Sequence, residues 1–426
     1  MRVCLLLHEG SMFSGGQGVY ASNLSRELVA FGHEVDVIAG PPYPELADGV
    51  RLHKLPSYNY HRLLATGRRF FYGRPLLDAF HPLNLAELVT TRLGMYSVMG
   101  AFSIRAYWLF RELHRARPFD IVHDNQVLGY GTLLIKSMGV PVVATVHHPL
   151  AIDRANRIRE ARSLAGQVRA VLFYPFFMQR IVLQRLDRVV AVSPAAARTV
   201  EDAFGLAEGS VHSVWNGVDT VTFRRLPEIQ PEPGRILFVG DSEDRNKGFR
   251  YLLRALAMLE RSVAFRLVVV QRSWSKRAPL QAREHGLDER VMFLDSLTTD
   301  QLVREYNRAQ LFVAPSLFEG FGLPAAEAAA CATPVVATTT GAFPEIVEDG
   351  VSGALVPPGE AEPLAAAISE LLADSGRCAE MGAAGARRVR PRFSWRRTAD
   401  VMSAIYAGAA DGARVEAAAA AMALTR

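Results

Sequence analysis

The sequence predicts an α/β fold built from two domains, each a parallel sheet covered on both faces by helices. Short apolar runs of strand length alternate with longer helical patterns from end to end, which is how a parallel sheet with crossover helices reads. At 426 residues the chain exceeds one ordinary core. A proline-rich stretch, Leu226 to Gly234, follows Asn216-Gly-Val-Asp219 and marks a linker.

Taken in order, the strand-like runs of the first half are Val3 to Leu7, Glu34 to Ala39, Ile121 to His123, Val140 to Val146, Arg188 to Val192 and Val211 to Val214. Between the second and third lies a long basic insertion with a helical pattern. In the second half the runs are Arg235 to Val239, Arg266 to Val270, Val291 to Leu294, Leu311 to Ala314 and Pro334 to Ala337. The expected organisation is one domain over residues 1–215, a second over 216–392, a helical segment over 393–410 and an Ala-rich tail over 411–426.

Composition narrows the function classes. Half the residues are hydrophobic, enough for two cores. Three cysteines, Cys4, Cys331 and Cys378, lack C-x-x-C spacing, which argues against a disulfide framework or structural zinc and suits a reducing cytoplasm. The start, Met1-Arg-Val-Cys-Leu-Leu-Leu-His8, is too short an apolar run for a signal peptide. The longest uncharged apolar run, Ala170 to Gln179, falls far below the ~18 residues of a membrane span and contains Pro175.

The net charge of +5 is unevenly spread. Eleven basic residues between Arg51 and Arg117 face Asp78, Glu87 and Glu112, and eight between Ala151 and Arg188 face Asp153, Glu160 and Asp187. Arginines interleave with bulky apolar residues, as in Arg68-Arg-Phe-Phe-Tyr-Gly-Arg74 and Val171-Leu-Phe-Tyr-Pro-Phe-Phe-Met178. Such a face suits an anionic bilayer or a phosphorylated acceptor, or else is an arginine-rich solvated surface. No nucleic-acid-binding module is present.

The most informative stretch is Ala314-Pro-Ser-Leu-Phe-Glu-Gly-Phe-Gly-Leu-Pro-Ala-Ala-Glu-Ala328, in which seven residues separate Glu319 from Glu327. A buried strand over Leu311 to Ala314 leads into a turn, and a helix is expected from Leu323 to Cys331. Glycines at Gly320 and Gly322 let the main chain approach a ligand around Phe321, and a helix start favours oxygen-bearing groups. A carboxylate accepts two hydrogen bonds at once and so suits vicinal hydroxyls of a hexose or ribose. The plainer reading of Glu327 is a solvent-facing helical residue. Lys247 precedes Gly248 and a helical pattern, in a chain with only four lysines. Strand, loop, cation and helix start together form a diphosphate site.

The Glu319-to-Glu327 run resembles the E-x7-E motif of retaining glycosyltransferase family 4, whose members have the two-domain GT-B fold. Val211-His-Ser-Val-Trp-Asn-Gly-Val-Asp219, Val239-Gly-Asp-Ser-Glu-Asp-Arg-Asn-Lys-Gly248, Ala332-Thr-Pro-Val-Val-Ala337, Phe343-Pro-Glu-Ile-Val347 and Phe393-Ser-Trp395 resemble that family in the same order. Ser14-Gly-Gly16 and Ala144-Thr-Val-His147 extend a looser likeness through the N-terminal half. The resemblance implies two Rossmann-like domains with parallel sheets facing each other across a cleft, acceptor in the first and nucleotide-sugar donor in the second, and a last helix crossing back to the first domain. Glu319 would hold sugar hydroxyls, Glu327 the ribose, and Arg245 with Lys247 the diphosphate. Gly240, Gly320, Phe321, Gly322 and Leu323 would line the donor, with Gly15 and Gly16 approaching it from the first domain. Many members carry an arginine directly after the glycine at position 240; here that residue is Asp241, and Arg245 is the candidate replacement.

His147 ends a strand, where open α/β sheets place ligands. By chemistry alone it is a base, a sugar-binding group or a structural histidine, as is His148; the resemblance implies that His147 orients the donor sugar. No D-x-D occurs, so no metal and no cofactor beyond the nucleotide-sugar co-substrate is expected. A lipid-linked acceptor and peripheral contact with an anionic membrane fit the basic stretches. Two other readings stand beside this one. Gly16-Gln-Gly-Val-Tyr-Ala21 fits G-x-G-x-x-A with Asp36 twenty residues after Gly16, as in an NAD-dependent oxidoreductase, and Asp241 is the one hint of a silent sugar-nucleotide-binding protein.

Overall fold

The computed structural model describes residues 1–12, 16–56, 81–161, 163–259, 263–271, 275 and 277–424. Ser14, Gly15 and the basic run Arg68 to Arg74 lie outside the described residues. The apolar runs fold into two all-parallel sheets. The first joins β1 (Arg2–Leu7), β2 (Glu34–Ala39), β3 (Val50–Lys54), β4 (Ile121–Asn125), β5 (Val142–Val146), β6 (Arg188–Ala191) and β7 (Val211–Ser213) in the order β3-β2-β1-β4-β5-β6-β7. The second joins β8 (Arg235–Val239), β9 (Arg266–Gln271), β10 (Val291–Asp295), β11 (Leu311–Ala314), β12 (Val335–Thr338) and β13 (Gly353–Val356) in the order β10-β9-β8-β11-β12-β13.

Each sheet starts in its middle, winds outward to one side, then returns to the other side of its first strand. The reversals fall between β1 and β4 and between β8 and β11. At such switch points, neighbouring crossovers part on opposite faces and leave a crevice at the carboxyl ends of the strands.

Central strands are buried because helices cover both faces, and most of their side chains are aliphatic, although β4 also buries His123, Asp124 and Asn125. Cys4, Leu6, Ile38, Val122 and Val142 pack with Phe102 and Phe110 of the helix Val98–Ala116. In the second sheet Ile236, Phe238, Val269, Val313 and Val336 pack with Phe249, Leu252 and Leu256 of the helix Phe249–Met258. Each such side chain contributes about 1.5–3 kcal/mol on burial.

The chain divides into two units: Met1–Val192, Ala197–Val214 and Ala399–Arg426 form the first, and Ser193–Ala196 and Trp215–Thr398 the second. The helix Trp395–Leu424 therefore starts among second-unit residues and continues in the first. In the first unit its Tyr406 is buried, with the hydroxyl 2.6 Å from Nδ1 of His123. The three cysteines are free and buried. Among the described residues no helix is long and apolar enough to cross a membrane.

Two strands escape the sequence reading. β3, Val50-Arg-Leu-His-Lys54, falls inside the span expected to be a helical insertion, and β13 is four residues long; both are sheet edges with half-exposed residues and weak apolar signals. The described helices of that span are Pro82–Arg92 and Val98–Ala116.

β3 has a specific anchor. Asp36 in the middle of β2 accepts from Arg2 Nε at 3.2 Å, Arg51 Nε at 2.9 Å and His53 Nε2 at 2.7 Å. Burial alone would raise its pKa, but hydrogen bonds from His53 and Arg51 and the charges of Arg2 and Arg51 drive it well below the usual carboxylate range. A depressed carboxylate contributes stability above the unfolded pKa of about 3.9 and loses it as pH falls further. Asp36→Ala is expected to cost about 3 kcal/mol, because the Arg2 guanidinium is left buried without its partner. A urea denaturation difference under about 0.5 kcal/mol would instead mark the cluster as a surface-type pair.

Candidate active site

The loops after β8 and β11 flank the switch point of the second sheet, since those strands pair directly, Leu311 with Ile236 and Phe312 with Leu237. The main chain ties the loops together. Leu317 N–H donates to the carbonyl of Asn246 at 2.7 Å, and Thr338 Oγ1 donates to the carbonyl of Ser316 at 2.7 Å. Gly248 has φ 68° and lies against the carbonyl of Pro315, so any Cβ there would collide with it. Gly341, at φ 56°, faces the carbonyl of Glu319 in the same way.

These constraints bring Lys247 Nζ to 2.7 Å from Glu319 Oε2. Burial pulls the Lys247 pKa down, but the Glu319 charge and hydrogen bond outweigh it, so the pKa is raised and the amine stays cationic. Arg245 shares the 3₁₀ turn Arg245–Lys247, with an exposed side chain. Of the two cations, Lys247 is the one joined to Glu319. Gly240 follows β8, its N–H donating to the Val270 carbonyl at 3.0 Å. Asp241, at the position where an arginine was expected, is exposed and accepts from Glu243 N–H at 2.9 Å.

After Glu319, Gly322 at φ 92° caps the helix Leu323–Ala330, with Leu323 at its first position. The N–H groups of Gly320, Phe321 and Gly322 make no hydrogen bond among the described residues. Glu327 lies just over one turn into this helix and is half-buried. Burial pushes its pKa up to about 7, against the hydrogen bond that Tyr306 OH donates to Oε2 at 2.9 Å. One carboxylate oxygen is thus engaged within the protein.

His147 belongs to the first unit, whereas Glu319, Glu327, Lys247 and Arg245 belong to the second. It follows β5 and is buried. Its Nε2 lies 2.6 Å from Asn125 Oδ1. Asn125 spends its own N–H on the Gln17 carbonyl at 3.1 Å, which orients the amide and makes His147 Nε2 the donor. Burial lowers the His147 pKa to about 3, so the imidazole is neutral and Nδ1 is left as an acceptor. His148 instead faces Asp153 at 2.8 Å. Gly16, at φ 68°, precedes the helix Gln17–Ala30. A dinucleotide site would need Asp36 free at a strand end, and its oxygens are held in mid-strand by Arg2, Arg51 and His53.

Sequence reasoning singled out neither Tyr306 nor Asn125, because each lies in an element away from the motifs and gains its partner through tertiary packing. Gly341 was not singled out either, because its closeness to the Glu319 carbonyl is set by the fold and not by its sequence neighbours. Among the described residues no group of three or more His, Cys, Asp or Glu side chains is arranged to hold a metal ion.

Residues 233–374 match the family model for "Glycosyl transferases group 1", and residues 15–217 match that for "Glycosyl transferase 4-like domain". An MMP alpha-(1->4)-mannosyltransferase of Mycolicibacterium hassiacum is 37% identical over 415 residues, 95% of this chain and 98% of that protein. A D-inositol 3-phosphate glycosyltransferase of Xylanimonas cellulosilytica is 30% identical over 94% of this chain and 93% of its own length. Among solved structures, the sucrose-phosphate synthase of Thermosynechococcus elongatus aligns with TM-score 0.72 at 23% identity, covering 96% of this chain and 99% of that one. Anabaena Alr3699/HepE in complex with UDP and glucose aligns with TM-score 0.67 at 17% identity, covering 96% and 100%. The fold is therefore GT-B.

Gly341→Ala is expected to force the Glu319 carbonyl aside and separate Glu319 from Lys247, with a loss of about 3 kcal/mol in stability. Thermal unfolding and a structure of the variant check both; an unchanged Lys247–Glu319 distance would contradict the assigned role of this glycine.

Proposed function

Because the chain belongs to the group 1 glycosyltransferases, and is a glycosyltransferase of the GT-B fold, we propose that it moves a hexose, with retention and without a metal ion, from a UDP- or GDP-linked sugar to an acceptor hydroxyl. The observation that carries the donor site is the Lys247–Glu319 pair at the β8/β11 switch point. Glu319 accepts from sugar hydroxyls, Glu327 from the ribose through its remaining oxygen, and Lys247 with Arg245 faces the diphosphate. Neutral His147 takes a sugar hydroxyl on Nδ1. Gly320, Phe321, Gly322 and Leu323 border the sugar, with Gly240 beside the diphosphate.

In the proposed reaction the bond from the anomeric carbon to the diphosphate oxygen breaks and a bond to the acceptor oxygen forms on the same face. The acceptor proton passes to the leaving phosphate oxygen. Lys247 stabilises the charge that develops there, and losing such a preorganised contact typically costs ~3 kcal/mol of transition-state stabilisation. The α linkage named for the mannosyltransferase relative supports retention from an α-configured donor. The UDP in a structural neighbour supports a nucleoside-diphosphate donor.

A membrane-linked acceptor is supported by one surface. On the helix Leu164–Phe173, Leu164, Val168 and Leu172 form an exposed apolar stripe at four-residue spacing, with exposed Arg169 on the same helix. This face is proposed to rest on an anionic bilayer, at the inner face of the cytoplasmic membrane, in cell-envelope glycolipid or polysaccharide synthesis.

Glu319→Ala and Lys247→Ala are each expected to abolish transfer while leaving the circular dichroism spectrum unchanged; near-normal turnover in either would remove that residue from the site. A nucleotide sugar has both diphosphate ends esterified and does not titrate near neutrality, so its affinity isolates Glu327. Calorimetric affinity is expected to rise about tenfold between roughly pH 5.5 and 8 as Glu327 ionises, and to be flat in Glu327→Gln. Binding of NAD in place of UDP or GDP would overturn the transferase reading. Vesicles containing phosphatidylglycerol are expected to co-sediment the protein where phosphatidylcholine vesicles do not, and Leu164→Asp with Val168→Asp to release it.

A further inference from the structure

We propose that Ser193 is a positioning residue for the donor sugar: its hydroxyl turns the peptide between Gly320 and Phe321 so that the Phe321 N–H faces the ligand. The proposal rests on the donor-site reading above. Ser193 follows β6 in sequence, yet by its contacts it belongs with Pro194, Ala195 and Ala196 to the second unit. It is fully buried. Its Oγ accepts from Ala196 N–H at 3.0 Å and donates to the Gly320 carbonyl at 2.7 Å.

The first of these bonds is what a serine does at the start of a helix, here Pro194–Phe204. That role needs only an acceptor. The hydroxyl proton is committed instead to the loop between the two glutamates. In a planar trans peptide the carbonyl of one residue and the N–H of the next point in opposite directions. Anchoring the Gly320 carbonyl on Ser193 therefore turns the Phe321 N–H away from Ser193, and that N–H makes no hydrogen bond among the described residues. A glycine leaves the preceding and following peptides unusually free to rotate, so the orientation of this one depends on an anchor.

The neighbouring residue is held separately. Buried Phe321 meets Phe393 edge-on at 5.4 Å, Phe393 meets Trp215 at 5.7 Å, and Trp215 Nε1 donates to Glu345. The aromatic row fixes where the loop lies, and Ser193 fixes which way its peptide faces. A sugar hydroxyl accepting from Phe321 N–H and donating to Glu319 would meet both ends of one short loop.

The test compares affinities for a nucleoside diphosphate and its nucleotide sugar, using UDP with UDP-glucose and GDP with GDP-mannose, in the wild type, Ser193→Ala and Ser193→Thr. Ser193→Ala is expected to bind the diphosphate as the wild type does but to lose about five- to tenfold in the ratio of nucleotide-sugar to diphosphate affinity, the worth of one hydrogen bond. Ser193→Thr, which keeps the hydroxyl, is expected to restore the ratio. An unchanged ratio in Ser193→Ala would reduce Ser193 to a helix cap, and equal weakening of both ligands would make its role purely structural; either overturns the proposal. Absence of recovery in Ser193→Thr at wild-type melting temperature would also overturn it. If the wild type bound neither nucleotide sugar, the donor reading itself would fall, an outcome distinct from a wild type that binds and a variant that does not differ.

Discussion

The geometry of the second unit turns on the contact between Lys247 and Glu319. Each comes from a loop leaving one of two adjacent strands, and neither side chain is freely exposed. Two opposite charges held 2.7 Å apart in a half-buried setting are attractive to each other and costly to leave single. The surrounding chain is arranged to keep them there, with Gly248 against Pro315, Gly341 against Glu319 and Leu317 bonded to Asn246. An incoming diphosphate would compete for the lysine and sugar hydroxyls for the carboxylate. The pair thus stores the polarity of the ligand before the ligand arrives, which is what preorganisation means in electrostatic terms.

The first unit handles polarity differently. One chain of buried groups at its carboxyl edge is uncharged: Tyr20 OH lies 3.3 Å from Thr145 Oγ1, which lies 2.8 Å from His123 Nε2, whose Nδ1 lies 2.6 Å from Tyr406 OH. Burial holds both His123 and His147 down at about 3, so neither imidazole changes charge near neutral pH. Hydrogen-bond direction, not charge, carries information along this chain, and the Asn125 amide sets that direction for His147.

The repeat of strand and helix was legible in the sequence because buried parallel strands read as short apolar runs dominated by Val and Leu, as in β1 and β5. β3 and β13 were not, since an edge strand buries half of what a central one does. Within the site, Glu319, Glu327 and Lys247 stood out because a glycine-rich turn and a lone lysine are unusual locally. Their partners were hidden for the opposite reason. Tyr306 sits in an ordinary amphipathic helix, Thr299–Arg308, and reaches Glu327 only because that helix packs beside Leu323–Ala330. The ion cluster around Asp36 explains why a glycine fingerprint with a well-spaced acid was misleading: spacing along the chain says nothing about whether the acid is already occupied.

The four residues Ser193 to Ala196 and the helix Trp395–Leu424 mean that the chain passes from one unit to the other at four points, after Val192, Ala196, Val214 and Thr398. Neither unit is a contiguous stretch of polypeptide. A fragment ending at residue 214 would lack Tyr406 and expose His123 to water, and one starting at residue 215 would lack the serine bonded to Gly320. Each unit is consequently completed by a segment from the other half of the chain, and a cut between Val214 and Trp215 would leave each piece holding part of the other's unit.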